Sequence, residues 1–150
     1  MIELRDAVEI DASPEQVFDW LAHLPENYLA WHPAHVTCRY LQGDSMDVGA
    51  VLYVEETLHG QLHKLKLRMT KVIPGRRMAY SIMPGMRGAF EIEPCEGKTR
   101  FVATLTIGTS LPMLGPLLDW LMRALLGRRI DAFKQHMAEE GENLRALFGP

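Results

Sequence analysis

The chain has 150 residues and a hydrophobic fraction of 47 %, which suits one globular domain with a real core and excludes a disordered chain. Its net charge of −3 excludes a globally basic surface, and with it sequence-independent nucleic-acid binding. Cys38 and Cys95 lie far apart without metal-ligand spacing, so two free thiols in a reducing compartment is preferred over a disulfide.

Residues 3–10 (ELRDAVEI) roughly alternate and predict a first strand. The opening MIELRDAVEIDAS has no charged region followed by an apolar stretch. No signal peptide is therefore expected, and the chain reads as soluble and cytoplasmic. Ser13 is placed to cap a helix, Pro14 suits its first position, and Gln16 can close a capping box. That helix carries Val17, Phe18, Trp20 and Leu21 and stops before Pro25. A second short helix over residues 26–30 leads into WHPAH, Trp31 to His35.

Strands are predicted over residues 36–41, 51–58, 62–73, 77–83, 88–93 and 99–106. Turn signals separate them at Gly43-Asp44, His59-Gly60, Pro74-Gly75, Pro84-Gly85 and Glu96-Gly97, as in an antiparallel meander. From about residue 115 to 148 the pattern is helical, with Gly127 as a bend. The most apolar stretch, LPMLGPLLDWLMRALL over residues 111–126, is too short for a membrane span and contains Asp119 and Arg123. It reads as a core-facing helix start, with a homodimer interface or a lid as alternatives. Ser13, Ser45 and Ser110 lack a G-x-S-x-G context, and no glycine-rich phosphate loop is present. Both facts argue against a serine hydrolase and a nucleotide enzyme.

On a helical wheel, Met122, Leu126, Ile130, Phe133, Met137, Leu144, Leu147 and Phe148 fall in one arc, opposite Asp131, Gln135, Glu142 and Arg145. Glu140 lies inside the apolar arc, with His136 one turn before it. A buried, unpaired carboxylate is costly, so a partner is expected. Alternation along residues 51–58 puts Leu52, Val54, Glu56 and Leu58 on the inward face, with Glu55 as the fallback. His32 or His35, Glu56, His136 and Glu140 can then converge on one divalent metal, Zn²⁺ foremost, with Fe²⁺ or Mn²⁺ also suited. His35 is preferred as ligand, and His32 is the alternate ligand or a proton shuttle. The competing readings are a plain corner for WHPAH and a hydrogen-bonded polar pair for His136 and Glu140.

Trp31, Val54, Phe133 and Met137 are expected to line a cavity for a hydrophobic small molecule. Arg68, on an alternating strand with Leu65, Leu67 and Met69 nearby, is either a cavity cation for an acidic ligand or a solvent-facing residue. His59 and His63 flank a turn and read as surface residues.

The order strand, two short helices, about six strands, one long helix resembles the helix-grip fold of the Bet v 1/START-like (SRPBCC) superfamily, including its polyketide cyclase/dehydrase-type proteins. The opening VEIDASPEQVFDWL is similar to that superfamily's first strand and helix. The resemblance covers the whole chain as one α+β domain, residues 1–150. It implies a curved antiparallel sheet wrapped around the C-terminal helix, with a cavity between them. His136-Met-Ala-Glu-Glu140 also resembles the H-x-x-x-E pair of the diacetylphloroglucinol/phloretin hydrolase group. Those enzymes cleave a carbon–carbon bond beside an aromatic ring with zinc on two histidines and two glutamates. His35 (or His32) and Glu56 would take the other two places. The resemblance thus implies a metal-dependent hydrolase or cyclase-like enzyme for an aromatic, polyketide-like or other apolar carbonyl substrate. The alternative is a non-catalytic carrier of a lipid, quinone or polyketide.

Overall fold

The computed structural model describes residues 1–108 and 115–149, without the side chains of residues 115, 119, 122 and 126. Ser110, the first four residues of the apolar stretch, and the side chains of Asp119, Met122 and Leu126 thus lie outside the described residues. The elements are β1 (Ile2–Ile10), α1 (Pro14–Ala22), α2 (Leu24–Trp31), β2 (His35–Gln42), β3 (Val51–Leu58), β4 (Gln61–Ile73), β5 (Arg77–Met83), β6 (Met86–Cys95), β7 (Lys98–Ile107) and α3 (Gly115–Leu147). The seven strands form one antiparallel sheet in the order β1-β7-β6-β5-β4-β3-β2. A meander thus closes on its own first strand, and α3 covers the inner face. This is the expected helix-grip arrangement.

The local chemistry explains the boundaries. Ser13 Oγ accepts from the Gln16 backbone N–H, and the Ser13 N–H donates back to Gln16 Oε1 at 2.9 Å, a complete capping box. Ser13→Ala removes the hydroxyl half, leaving the backbone half, and is expected to lower stability by about 1 kcal/mol in urea unfolding, with unchanged slope. Glycines with positive φ close the strand turns, among them Gly60 at +71° and Gly97 at +80°.

Inward positions follow period two. Leu52 and Val54 of β3, Met69 of β4, Met78 of β5, Ile92 of β6 and Phe101 of β7 join Val17, Leu21, Trp31 and Leu144 in the main core. A second cluster joins Ile2 and Leu4 to Leu105, Ile107 and Ile130. Gly141 sits so close to β1 that a Cβ there would stand 2.7 Å from Asp6 Oδ2 and 3.1 Å from a Val8 methyl. With Ile130 near Ile2 and Gly141 near Val8, α3 runs back along β1.

Two expectations need correction. Among the described side chains at the start of α3, Leu117, Leu118, Trp120, Leu121 and Leu125 are exposed and do not face the core. Arg68 is also exposed. Leu65, Leu67 and Met69 take the inward face of β4, so the pleat sends Lys66 and Arg68 outward. Arg68 is therefore no cavity residue. Cys38 and Cys95 are both free; burial and the charge of Glu26 push the Cys38 thiol up to about 12. Among the described residues, no helix is long and apolar enough to cross a membrane.

Candidate functional site

Three elements carry the site. The first is the end of α2 with the turn that follows it. Leu24, Tyr28 and Trp31 recur at helical spacing and are buried, which seats α2 against the sheet. Trp31 Nε1–H donates to the Glu140 carbonyl at 2.9 Å, and Asn143 Nδ2–H donates to the Trp31 carbonyl at 3.0 Å. These two bonds tie the WHPAH turn to α3 beside Glu140. The second element is β3, where His35 of β2 pairs directly with Glu56. The third is α3, which presents His136 and Glu140 one turn apart.

Four side chains meet. The Nε2 atoms of His35 and His136 face each other at 3.1 Å. Glu56 Oε2 lies 3.3 Å from His136 Nε2 and 3.9 Å from His35 Nε2. Glu140 straddles the pair, with Oε1 at 3.2 Å from His136 Nε2 and Oε2 at 3.5 Å from His35 Nε2. Donor atoms of His35, Glu56 and His136 all fall within 4.8 Å of one another, and all three residues are buried. Of the open alternatives, His35 and Glu56 face inward. Glu55 sits on the other face, accepting from Tyr53 Oη.

The surroundings fix the ligand atoms. His35 Nδ1–H donates to the Tyr28 carbonyl at 2.8 Å, leaving Nε2 with a lone pair toward the cluster. The His35 ring also stacks on Tyr28, with centroids 3.7 Å apart. Tyr28 Oη–H donates to Glu56 Oε2 at 3.4 Å. Tyr28 was not singled out in the sequence, although its spacing with Leu24 and Trp31 marks it as inward-facing.

His32 stands apart. Its Nδ1 accepts from the Ala34 N–H at 2.9 Å, so Nε2 carries the proton and donates to Glu139 at 2.8 Å. Both ring nitrogens are therefore engaged, although the ring lies 4.3 Å from that of His136. Glu139 was also missed. Its only sequence signal is its place next to Glu140, which a wheel assigns to the polar side.

The buried carboxylates and imidazoles shift one another's titration. Burial alone would raise the Glu56 pKa, but the hydrogen bond and charge of His136, the charge of His35 and the Tyr28 hydroxyl outweigh it and pull it below the usual carboxylate value. Burial alone would lower His136, but Glu56, Glu140 and Glu139 outweigh it and raise its pKa. The sign for metal-free protein follows. The His136 contribution is complete below its ordinary 6.5 and is lost as pH rises through the higher folded value. The Glu56 contribution is complete above its ordinary 4.5 and is lost as pH falls through the lower folded value. Chelator-treated protein should therefore melt at a lower temperature at about pH 8 than at about pH 6, and His136→Gln should flatten that slope. A flat profile in the unmutated protein would contradict this.

His35, Glu56 and His136 each offer one donor atom close enough to share an ion, while Glu140 meets the two histidines through different oxygens. Two carboxylates and two neutral imidazoles carry two negative charges, which a divalent cation balances.

The cluster forms the polar end of a cavity of about 90 Å³ between sheet and α3. Trp31, Val54, Phe133 and Met137, all expected there, do line it, beside Tyr28, Tyr80, Phe90 and Phe101.

Comparisons with known proteins agree with this architecture. The chain is similar to TTHA0849 from Thermus thermophilus, at 17 % identity and a TM-score of 0.73, covering 97 % of this chain and 95 % of that one. It is similar to the Zhui aromatase/cyclase from Streptomyces sp. R1128, at 19 % identity and a TM-score of 0.65, covering 99 % of both chains. A START superfamily protein from Mycobacterium smegmatis is similar at 18 % identity and a TM-score of 0.62, covering 89 % of this chain and 95 % of that one. At these identities the likeness is one of fold. No curated protein matches the sequence. Residues 1–142 match the family described as polyketide cyclase / dehydrase and lipid transport, and the chain belongs to that family.

Proposed function

We propose that this protein takes a small apolar, oxygen-bearing ligand into its cavity and holds a divalent metal, zinc foremost, on His35, Glu56, His136 and Glu140. The observation that carries the metal is the tight approach of four donor side chains from three segments, with the two Nε2 atoms 3.1 Å apart. When bound, the ion would supply Lewis acidity for polarising a carbonyl and activating water near neutral pH.

The chain's own residues do the rest. The apolar wall of Trp31, Val54, Phe90, Phe101 and Phe133 excludes water and accepts a flat ring. Tyr28 holds His35 in its tautomer and donates to Glu56, which fixes two of the four donors before anything binds. The reaction class best matched is hydrolysis or cyclisation of an aromatic or polyketide-like carbonyl compound. The family and the aromatase/cyclase of similar fold support a compound of this kind. The carrier reading keeps the same cavity and ligand and lacks only the chemistry.

Elemental analysis of protein purified without an affinity tag or chelator tests the proposal. About one zinc per chain is expected. Metal-free protein that still co-purifies with an apolar ligand would leave the carrier reading in its place.

A further inference from the structure

The outer face of the sheet, turned away from α3, carries three adjacent cross-strand rows. The middle row runs Arg5, Thr104, Ala89, Ala79 across β1, β7, β6 and β5. One flanking row holds Thr106, Arg87 and Ser81, and the other holds Glu91 and Arg77. Paired residues share a face, and Phe101, Ala103 and Leu105 take the inner face of β7, so these rows point outward. Two alanines side by side leave room between the flanking rows, and a depression of about 440 Å³ lies there.

Three arginines from three strands border this depression. The flanking rows are four residues apart along each strand, about 13–14 Å. Arg87 and Arg77 can lean toward each other over the alanines between them. Their donors are largely unspent. Arg77 gives Nη1–H to Glu91 at 2.6 Å, and its buried Nε has no hydrogen-bond partner among the described residues. Its pairing with Glu91 thus uses a single N–H. Arg5 and Arg87 make no ion pair among the described residues. A buried N–H without an acceptor is costly, and a bound ion is one reason for it. Glu3 and Glu91 also border the depression, but the arginines outnumber them in a chain whose net charge is −3.

We propose that this depression is a second binding site, separate from the cavity, for the phosphate group of a small phosphorylated molecule. A carboxylate offers two oxygens in one plane, which a single arginine fork satisfies. A phosphate offers oxygens in several directions, and here donors stand on three sides. Arg5 is at the end, Arg87 with the Ser81 hydroxyl is on one flank, and Arg77 is on the other. None of these residues belongs to the His/Glu cluster.

Calorimetric titration of the full chain with inorganic phosphate and with glycerol phosphate tests the site. Each is expected to bind once per chain. Arg5→Ala and Arg87→Ala, both at exposed positions, should each weaken the two ligands about tenfold. Glu91→Gln should strengthen both, roughly threefold, because it frees Arg77 and removes a like charge. A gain of that kind cannot come from a damaged fold. His136→Ala, which removes a donor of the cluster, should change neither, which separates this site from phosphate held on a metal ion. Three results would overturn the proposal. They are no saturable binding to the unmutated protein, loss in His136→Ala with the arginine variants unaffected, and binding only to vesicles that contain phosphatidic acid.

Discussion

Replacing His136 by Ala is expected to give a folded protein whose zinc affinity has fallen by more than about a hundredfold. The bound is set by partners that merely orient a metal ligand, whose loss costs about 10–100-fold. His136 lies within 3.3 Å of three other donors, so its removal takes away the member they all share. Glu140→Ala should also release the metal, because it withdraws the carboxylate bridging both histidines. Glu139→Ala is the control. It stands next to Glu140 in the chain but pairs with His32, outside the cluster, so metal content should not change. Competitive titration with a chromogenic chelator gives the affinities, and circular dichroism shows that each variant is folded. Equal zinc content in all three variants would contradict the assignment.

The largest stability effect is expected at Leu144. It is fully buried at 0 % exposure and lies one turn beyond Glu140, pinning α3 to the main core. Leu144→Ala should cost about 2–5 kcal/mol, since it removes transfer energy and leaves a cavity that the close approach of Gly141 to β1 keeps from collapsing. Denaturant unfolding measures the loss. Zinc affinity should fall as well, by a smaller factor than in His136→Ala, because the helix holding two donors loses its nearest anchor. A loss under about 1 kcal/mol would mean that α3 is held elsewhere.

How much of this was legible without coordinates depended on periodicity. Glu56 could be placed because period two is rigid: Leu52 and Val54 fix its parity. Glu140 stood out because the apolar arc of α3 is narrow where it meets the sheet. The same rule, applied strictly, sends Arg68 outward, since Leu65, Leu67 and Met69 had already taken the inward face. The choice between His32 and His35 was not legible. Both flank Pro33, and only the hydrogen bonds to the Ala34 N–H and the Tyr28 carbonyl separate their roles. The start of α3 misled for a related reason. Composition shows that a helix is apolar, and it does not show which of its side chains are covered.

The central claim is that four side chains from three segments close on one divalent ion. Zinc K-edge absorption spectroscopy of the loaded protein reads that shell directly. The account predicts four nitrogen and oxygen neighbours at about 2.0–2.1 Å, two of them with the outer-shell scattering of imidazole. A six-oxygen shell, or a single imidazole, would contradict it.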